Sequence, residues 1–245
     1  MIPWINIADK FPVRFDTQRM LDEIAQIEDG VWLEHYDVTL SRGWKAIPLI
    51  SLDGRLGDPE AQRPGTLDQF KPTVMLEKMP YFREILDAFK CTKGRVRILK
   101  LAPGAGIGEH RDVGLEVANL AFNRVRLHIP VKTNPQVVFV VKGERIHMQE
   151  GGLYYVNFSH LHHVRNDGPT ERLHLVIDAE ANDWLWQFFP KPTIVDRVGF
   201  LAQRTFLPMF WKMRRMHTVA MTWAWRNWNG SAPQHVWRLL KGQRG

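Results

Sequence analysis

Arg95-Val96-Arg97-Ile98-Leu99-Lys100-Leu101-Ala102-Pro103-Gly104-Ala105-Gly106-Ile107-Gly108-Glu109-His110-Arg111-Asp112 is the stretch on which the rest of the chain is organised. Its opening, Val96–Leu101, has the β-branched and leucine content of a strand, and Pro103-Gly104 punctuates it. Further short strand-like runs follow at Val125–Val131, Val137–Val141, Arg145–Gln149, Gly152–Asn157 and Leu173–Ile177. Turn signals such as Thr133-Asn134-Pro135 and Lys142-Gly143-Glu144 separate them. Many short strands at close spacing predict a double-sheet barrel of the jelly-roll or cupin kind. Upstream, Thr17–Ile27 carries Met20, Leu21, Ile24 and Ile27 at helical spacing behind a capping Asp16 or Thr17. Pro80 starts a second helix that places Phe82, Ile85, Leu86 and Phe89 on one face. Val38–Leu52 reads as a strand anchored by Trp44, and Gly54–Pro72 as a long loop able to lie over a site. The expectation is therefore a mainly β domain with flanking helices.

Strand parity sorts the polar residues of this barrel. In an extended chain His110 and Asp112 project from one face, a pincer for a metal ion. Such a pair also occurs at ordinary solvated strand ends, so a third ligand is required. His162, in Leu161-His162-His163-Val164-Arg165-Asn166, is the candidate. Two imidazoles and one carboxylate on one face, with the opposite face open, is the facial arrangement of non-haem Fe(II) oxygenases. Arg172 lies in the next strand-like run, and its rigid fork of donors suits a dicarboxylate such as 2-oxoglutarate. An ion pair with Glu171 is its structural alternative. Arg124, Arg126 and His128 share one face, as do Arg172, His174 and Val176. His160, His163 and His174 are set aside, and Asn166 is expected to shape the turn before Gly168-Pro169.

The ordered set of these motifs resembles the aspartyl/asparaginyl β-hydroxylase family of Fe(II)/2-oxoglutarate dioxygenases. The resemblance rests on Arg95–Asp112 together with Val125-Arg126-Leu127-His128-Ile129-Pro130-Val131, Tyr155-Val156-Asn157-Phe158, His162-His163-Val164-Arg165-Asn166 and Arg172-Leu173-His174-Leu175-Val176-Ile177-Asp178. It spans roughly Gly30 to Phe189. It implies a double-stranded β-helix, Fe(II) held by His110, Asp112 and His162, O2 as oxidant, and 2-oxoglutarate held by Arg172 and His128. It gives Arg126 to an acidic group of the substrate. Leu99 departs from the pattern, standing where better-known members have a serine that contacts the co-substrate; Arg97 is a candidate for a compensating contact.

Composition bounds the alternatives. The chain has 245 residues and 44% hydrophobic content, enough for one domain with a substantial core. A single cysteine, Cys91, excludes an internal disulfide, and the N-terminal Met1-Ile2-Pro3-Trp4 run has no signal-peptide pattern, so a reducing, cytoplasmic setting is expected. The net charge of +7 is unevenly placed. From Pro190 onward ten basic residues face Asp196 alone, which leaves residues 1–189 at −2. The predicted division is thus a catalytic body, 1–189, and a basic, Trp-rich, helical extension, 190–245. An acidic body argues against a nucleic-acid channel. The extension interleaves Phe206, Phe210, Trp211, Trp223, Trp225, Trp228 and Trp237 with cations, a pattern suited to peripheral contact with an anionic membrane at its inner face. Helices packed on the barrel or on a second subunit are the other reading. The expected partner is a small-molecule or peptidyl acidic substrate; a lipid acyl chain, and a non-catalytic barrel that only binds metal or acid, are the alternatives.

Overall fold

The computed structural model describes residues 2–34, 41–58, 65–112 and 123–206, with nothing of the side chains of 41 and 42. The chain divides into two compact units, Met1–Leu201 and Ala202–Gly245. Of the second unit only 202–206 are described, and they are helical. Phe210 and the tail tryptophans lie outside the described residues.

In the first unit the strands are β1 (Trp4–Asn6), β2 (Leu33–Glu34), β3 (Ser41–Leu52), β4 (Phe70–Pro72), β5 (Lys93–His110), β6 (Arg124–Lys132), β7 (Val137–Val141), β8 (Glu144–Ile146), β9 (Tyr154–Val156), β10 (His162–Asn166) and β11 (Arg172–Glu180). The helices α1 (Thr17–Ile24), α2 (Val74–Glu77), α3 (Pro80–Ala88) and α4 (Asp183–Trp186) flank them, and residues 194–206 are helical again. The Asp16 side chain caps α1 by accepting from the amides of Gln18 and Arg19.

β5 is the element the sheet turns on. Its first half, through Leu101, pairs with β11, and its second half, from Gly106, pairs with β10. Gly104 takes a left-handed φ of +73° between the two halves, a conformation that favours glycine. The hydrogen-bonded order β1-β9-β6-β11-β5-β10-β7-β8 therefore folds into two facing antiparallel layers that share one strand, the double-stranded β-helix. Trp4 of β1 donates its indole N–H to Glu144 of β8 at 3.0 Å, bridging the two ends of that order.

Alternation along the strands separates two cores. Val96, Ile98, Leu127, Ile129, Leu175 and Ile177 face outward and pack with Met20, Phe82, Ile85 and Leu185 of the helices. Leu99, Leu101, Phe139, Val141, Tyr154, Phe158, Val164 and Val176 fill the barrel interior. The interior face also carries the charged and imidazole side chains, because they share parity with these residues.

Several sequence expectations shift. Residues 145–149 are strand only through Ile146, and β1, β2, β4 and β10 carry too little local pattern to be read alone. The predicted loop Gly54–Pro72 ends in a capping box at Thr66, a turn of 3₁₀ helix and β4 on β3. This segment lies at Gly94, where an added Cβ would stand 3.1 Å from Leu67 and 3.4 Å from the carbonyl of Asp178.

Candidate metal and co-substrate site

His110 ends β5 and His162 begins β10, and the antiparallel register places them directly opposite each other. Their ring centroids are 4.2 Å apart. Asp112 lies two residues past the strand, held there by its amide, which donates to the carbonyl of Phe158 at 3.0 Å. Strand parity thus puts the carboxylate on the right side, but a loop contact keeps it there. Single ligand atoms of His110, Asp112 and His162 all lie within 4.8 Å of one another. Asp112 Oδ1 is 3.6 Å from His110 Nε2 and 3.9 Å from His162 Nε2.

The imidazoles are set for ligation. Nδ1 of His110 donates to the carbonyl of Gly108 at 2.7 Å, and Nδ1 of His162 to that of His160 at 2.9 Å. Each bond fixes the proton on Nδ1 and leaves the Nε2 lone pair toward Asp112. Burial lowers the pKa of His162 to about 4, so it is neutral at physiological pH. Burial works to raise the carboxyl of Asp112, but the Arg126 guanidinium beside it, at 2.7 Å, outweighs burial and holds the group ionised. Two imidazoles with their Nδ1–H groups engaged and a carboxylate fit Fe(II).

A second group of polar side chains lies deeper in the barrel. Arg172, His128 and His174 are each at most 4% exposed. Arg172 Nη2 donates to His174 Nδ1 at 2.9 Å, and His128 Nδ1 lies 3.4 Å from the same nitrogen. Because the Arg can only donate, His174 Nδ1 carries a lone pair and His128 Nδ1 carries the proton. Burial, with the neighbouring Arg172 next, pushes both imidazoles well below their ordinary range. Among the described residues no carboxylate pairs with Arg172, and burial lowers its pKa to about 9. Arg172 Nε, His128 Nε2 and His174 Nε2 are buried without a hydrogen-bond partner. Arg172 and His174 line one pocket with Thr133, Val137, Phe139 and Met148, and a buried cation with the orphaned Nε2–H of His174 beside it fits one carboxylate of 2-oxoglutarate. The alternative partner Glu171 instead lies 3.8 Å from Lys132.

Arg126 is placed between the two groups. It donates through Nε and Nη2 to Asp178 at 2.6 and 3.2 Å, and through Nη1 to Asp112 at 2.7 Å. Phe158 connects everything: its ring stacks 5.4 Å from His128, meets His162 edge-on at 4.6 Å and lies 4.9 Å below the Arg126 guanidinium. Leu99 lies in the apolar interior, and the Arg97 guanidinium lies 5.8 Å over the Trp44 ring. His163 is turned to Glu109, at 3.7 Å.

His174, set aside from the sequence, sits inside the pocket; its parity with Arg172 was the available signal. Asp178, Arg95 and Phe158 had no local signature. Asn166 does brace its turn, accepting from the amide of Gly168 while its Nδ2 donates to the carbonyl of Thr170.

Residues 14–182 match the family model described as aspartyl/asparaginyl beta-hydroxylase. An L-proline cis-4-hydroxylase of Rhizobium meliloti (strain 1021) is 25% identical over 174 residues, which cover 69% of this chain and 59% of that protein. The chain therefore spans about three fifths of the length of the curated relative it matches. Among solved structures, a 2OG-Fe(II) oxygenase family oxidoreductase from Burkholderia pseudomallei has a TM-score of 0.43 at 15% identity, over 68% of this chain and 78% of that one. A prolyl hydroxylase from Trichoplax adhaerens, in complex with a hypoxia inducible factor oxygen degradation domain peptide fragment, has a TM-score of 0.45 at 12% identity, over 76% and 86%. With the family model covering most of the barrel and all the residues gathered in it, this chain belongs to the aspartyl/asparaginyl beta-hydroxylase family.

Proposed function

We propose that this chain is an Fe(II)/2-oxoglutarate-dependent dioxygenase that hydroxylates an unactivated C–H bond of an amino-acid or other carboxylate-bearing substrate. The observation that carries this reading is the pairing of a His-Asp-His cluster with a buried arginine that has no carboxylate partner among the described residues. In this reading His110, Asp112 and His162 hold the metal, and Arg172 with the Nε2–H of His174 takes the far carboxylate of the co-substrate, while His128, expected to share that role, holds His174 in place through its Nδ1–H. Iron with 2-oxoglutarate and O2 supplies the oxidising power. The protein contributes orientation: the two Nδ1–H bonds aim the metal-binding nitrogens, and the neutral His128 and His174 spare the co-substrate pocket further positive charge. Val137, Phe139, Ile146 and Met148 line that pocket with apolar groups, which strengthens the arginine–carboxylate contact. Among the described residues three of the five N–H groups of Arg126 are engaged, and this reading gives the others to a carboxylate on the substrate. The name of the proline-hydroxylating relative supports a small amino-acid substrate.

Succinate formation from 2-oxoglutarate, screened with free amino acids and acidic peptides and followed by mass spectrometry for a gain of one oxygen, tests this. Product from a lipid acyl chain alone would move the substrate assignment. Co-substrate binding with no turnover on any class would favour a non-catalytic barrel.

A second observation supports peripheral contact of the C-terminal region with an anionic membrane. Ile194, Val195, Val198 and Leu201 share one helical face and are 63–81% exposed, while Phe200 on the opposite side packs toward the core. Flotation of the full chain with anionic but not zwitterionic vesicles is expected, and an Ile194→Ser/Val198→Ser variant should float less.

A further inference from the structure

We infer that Arg126 and Asp178 are positioning residues that select which oxygen of Asp112 faces the two imidazoles, through an alternation of charge running Arg95, Asp178, Arg126, Asp112. The inference rests on the reading of His110, Asp112 and His162 as metal ligands.

The four side chains form one continuous line of hydrogen bonds. Arg95 is near the start of β5 and Asp112 just past its end, yet two intervening side chains join them. Arg95 donates to Asp178 Oδ2 from Nε at 3.2 Å and from Nη2 at 3.0 Å. Asp178 and Arg126 are direct cross-strand neighbours on β11 and β6. Against β5 the register of β11 shifts between Ile177 and Ala179, so an irregularity falls on Asp178 itself. Such irregularities re-aim single side chains beside functional sites.

The consequence for Asp112 follows from the shape of a guanidinium. Asp178 grips Arg126 side-on through Nε and Nη2, which fixes the plane of the fork, and the Phe158 ring lies against it. Nη1 is then aimed at Asp112 Oδ2 at 2.7 Å. With that oxygen tied, only Oδ1 is left to face His110 and His162. Asp112 needs this, because it stands outside the strand and its carboxylate would otherwise rotate freely. The side chains of Arg95, Arg126, Asp178 and Asp112 are 7–25% exposed, so water competes little for these bonds.

Positioning and bare charge predict opposite outcomes. A cation beside a metal site repels the metal, so as charge alone Arg126→Met should tighten metal binding and Arg126→Lys should change nothing. Positioning predicts that both weaken it, since an ammonium keeps the charge but lacks the planar fork that grips Asp178 side-on while aiming a third N–H at Asp112. The test is calorimetric titration of Co(II) into the metal-free full-length protein, with the visible ligand-field spectrum of the saturated protein. Loss of an outer residue that orients a ligand weakens metal affinity by about 10–100-fold. We expect losses in that range for Arg126→Met and Arg126→Lys, a loss in the same direction for Asp178→Asn, and an altered Co(II) spectrum in all three. Wild-type affinity in Arg126→Lys, or tighter binding in Arg126→Met, overturns the inference. If the Arg126 variants do not fold, the near-isosteric Asp178→Asn decides it by the same two readouts. Asp112→Ala separates the two levels: if it binds Co(II) as tightly as wild type, the ligand assignment itself fails.

Discussion

Replacing Arg172 by methionine should make the protein more stable and unable to hold its co-substrate. The guanidinium is 4% exposed, with no carboxylate partner among the described residues, and burial lowers its pKa from 12.5 to about 9. At 1.36 kcal/mol per pKa unit, keeping it charged at neutral pH costs the fold roughly 4–5 kcal/mol. Methionine removes that cost but forfeits the hydrogen bond to His174, about 1 kcal/mol, and some packing against Phe139. A net gain of about 1–3 kcal/mol remains, in line with other buried ions replaced by apolar residues. For a domain of this size that raises Tm by about 2–4 °C per kcal/mol. Binding moves the other way: losing two charge-assisted hydrogen bonds at about 1.5–3 kcal/mol each weakens 2-oxoglutarate by at least 100-fold. Thermal unfolding of the metal-free protein, and calorimetry of 2-oxoglutarate on the metal-loaded protein, read the two effects separately. A variant that melts lower than wild type, or that still binds 2-oxoglutarate normally, would refute the argument that this cation is held in strain for an anion.

Other consequences are open to measurement. Because burial lowers the pKa of Arg172 and a bound carboxylate favours the cation, 2-oxoglutarate binding should take up protons increasingly as pH is raised; calorimetry in buffers of different ionisation enthalpy would show no uptake if another residue holds the carboxylate. His128 and His174 have folded pKa values well below 6.5, so between those values and 6.5 the unfolded chain binds more protons, and the stability they confer is complete above 6.5 and lost as pH falls; urea titrations of His128→Gln/His174→Gln should show a flatter acid limb than wild type. Gly168→Ala drives a methyl into the amide of Asn134, which is bonded to Asn166, and should cost about 1–3 kcal/mol in chemical denaturation.

The barrel was legible because its strands are long enough to show alternation. Val125–Val131 and Leu173–Ile177 place apolar residues outward toward the helices and polar ones inward at every second position, and the structure keeps that parity. The same parity grouped Arg172 with His174 and Arg126 with His128. It could not say what those side chains would meet. Asp178 reads as the polar end of a strand, and only the β11–β6 register makes it the partner of Arg126. Strands of two or three residues, such as β2 and β4, exist through their neighbours and carry no periodicity of their own.

The sequence by itself determined the residue types of the site and the face of each strand they occupy, since a period of two is a local property of extended chain. Only the tertiary structure decided that His110 lies opposite His162, that Asp112 is held from beyond its strand by Phe158, and that Arg126 is shared between two carboxylates. Those relations depend on which strands become neighbours and in what register. Both are set by the bend in β5 and by burial of the whole barrel, which no short window of residues contains.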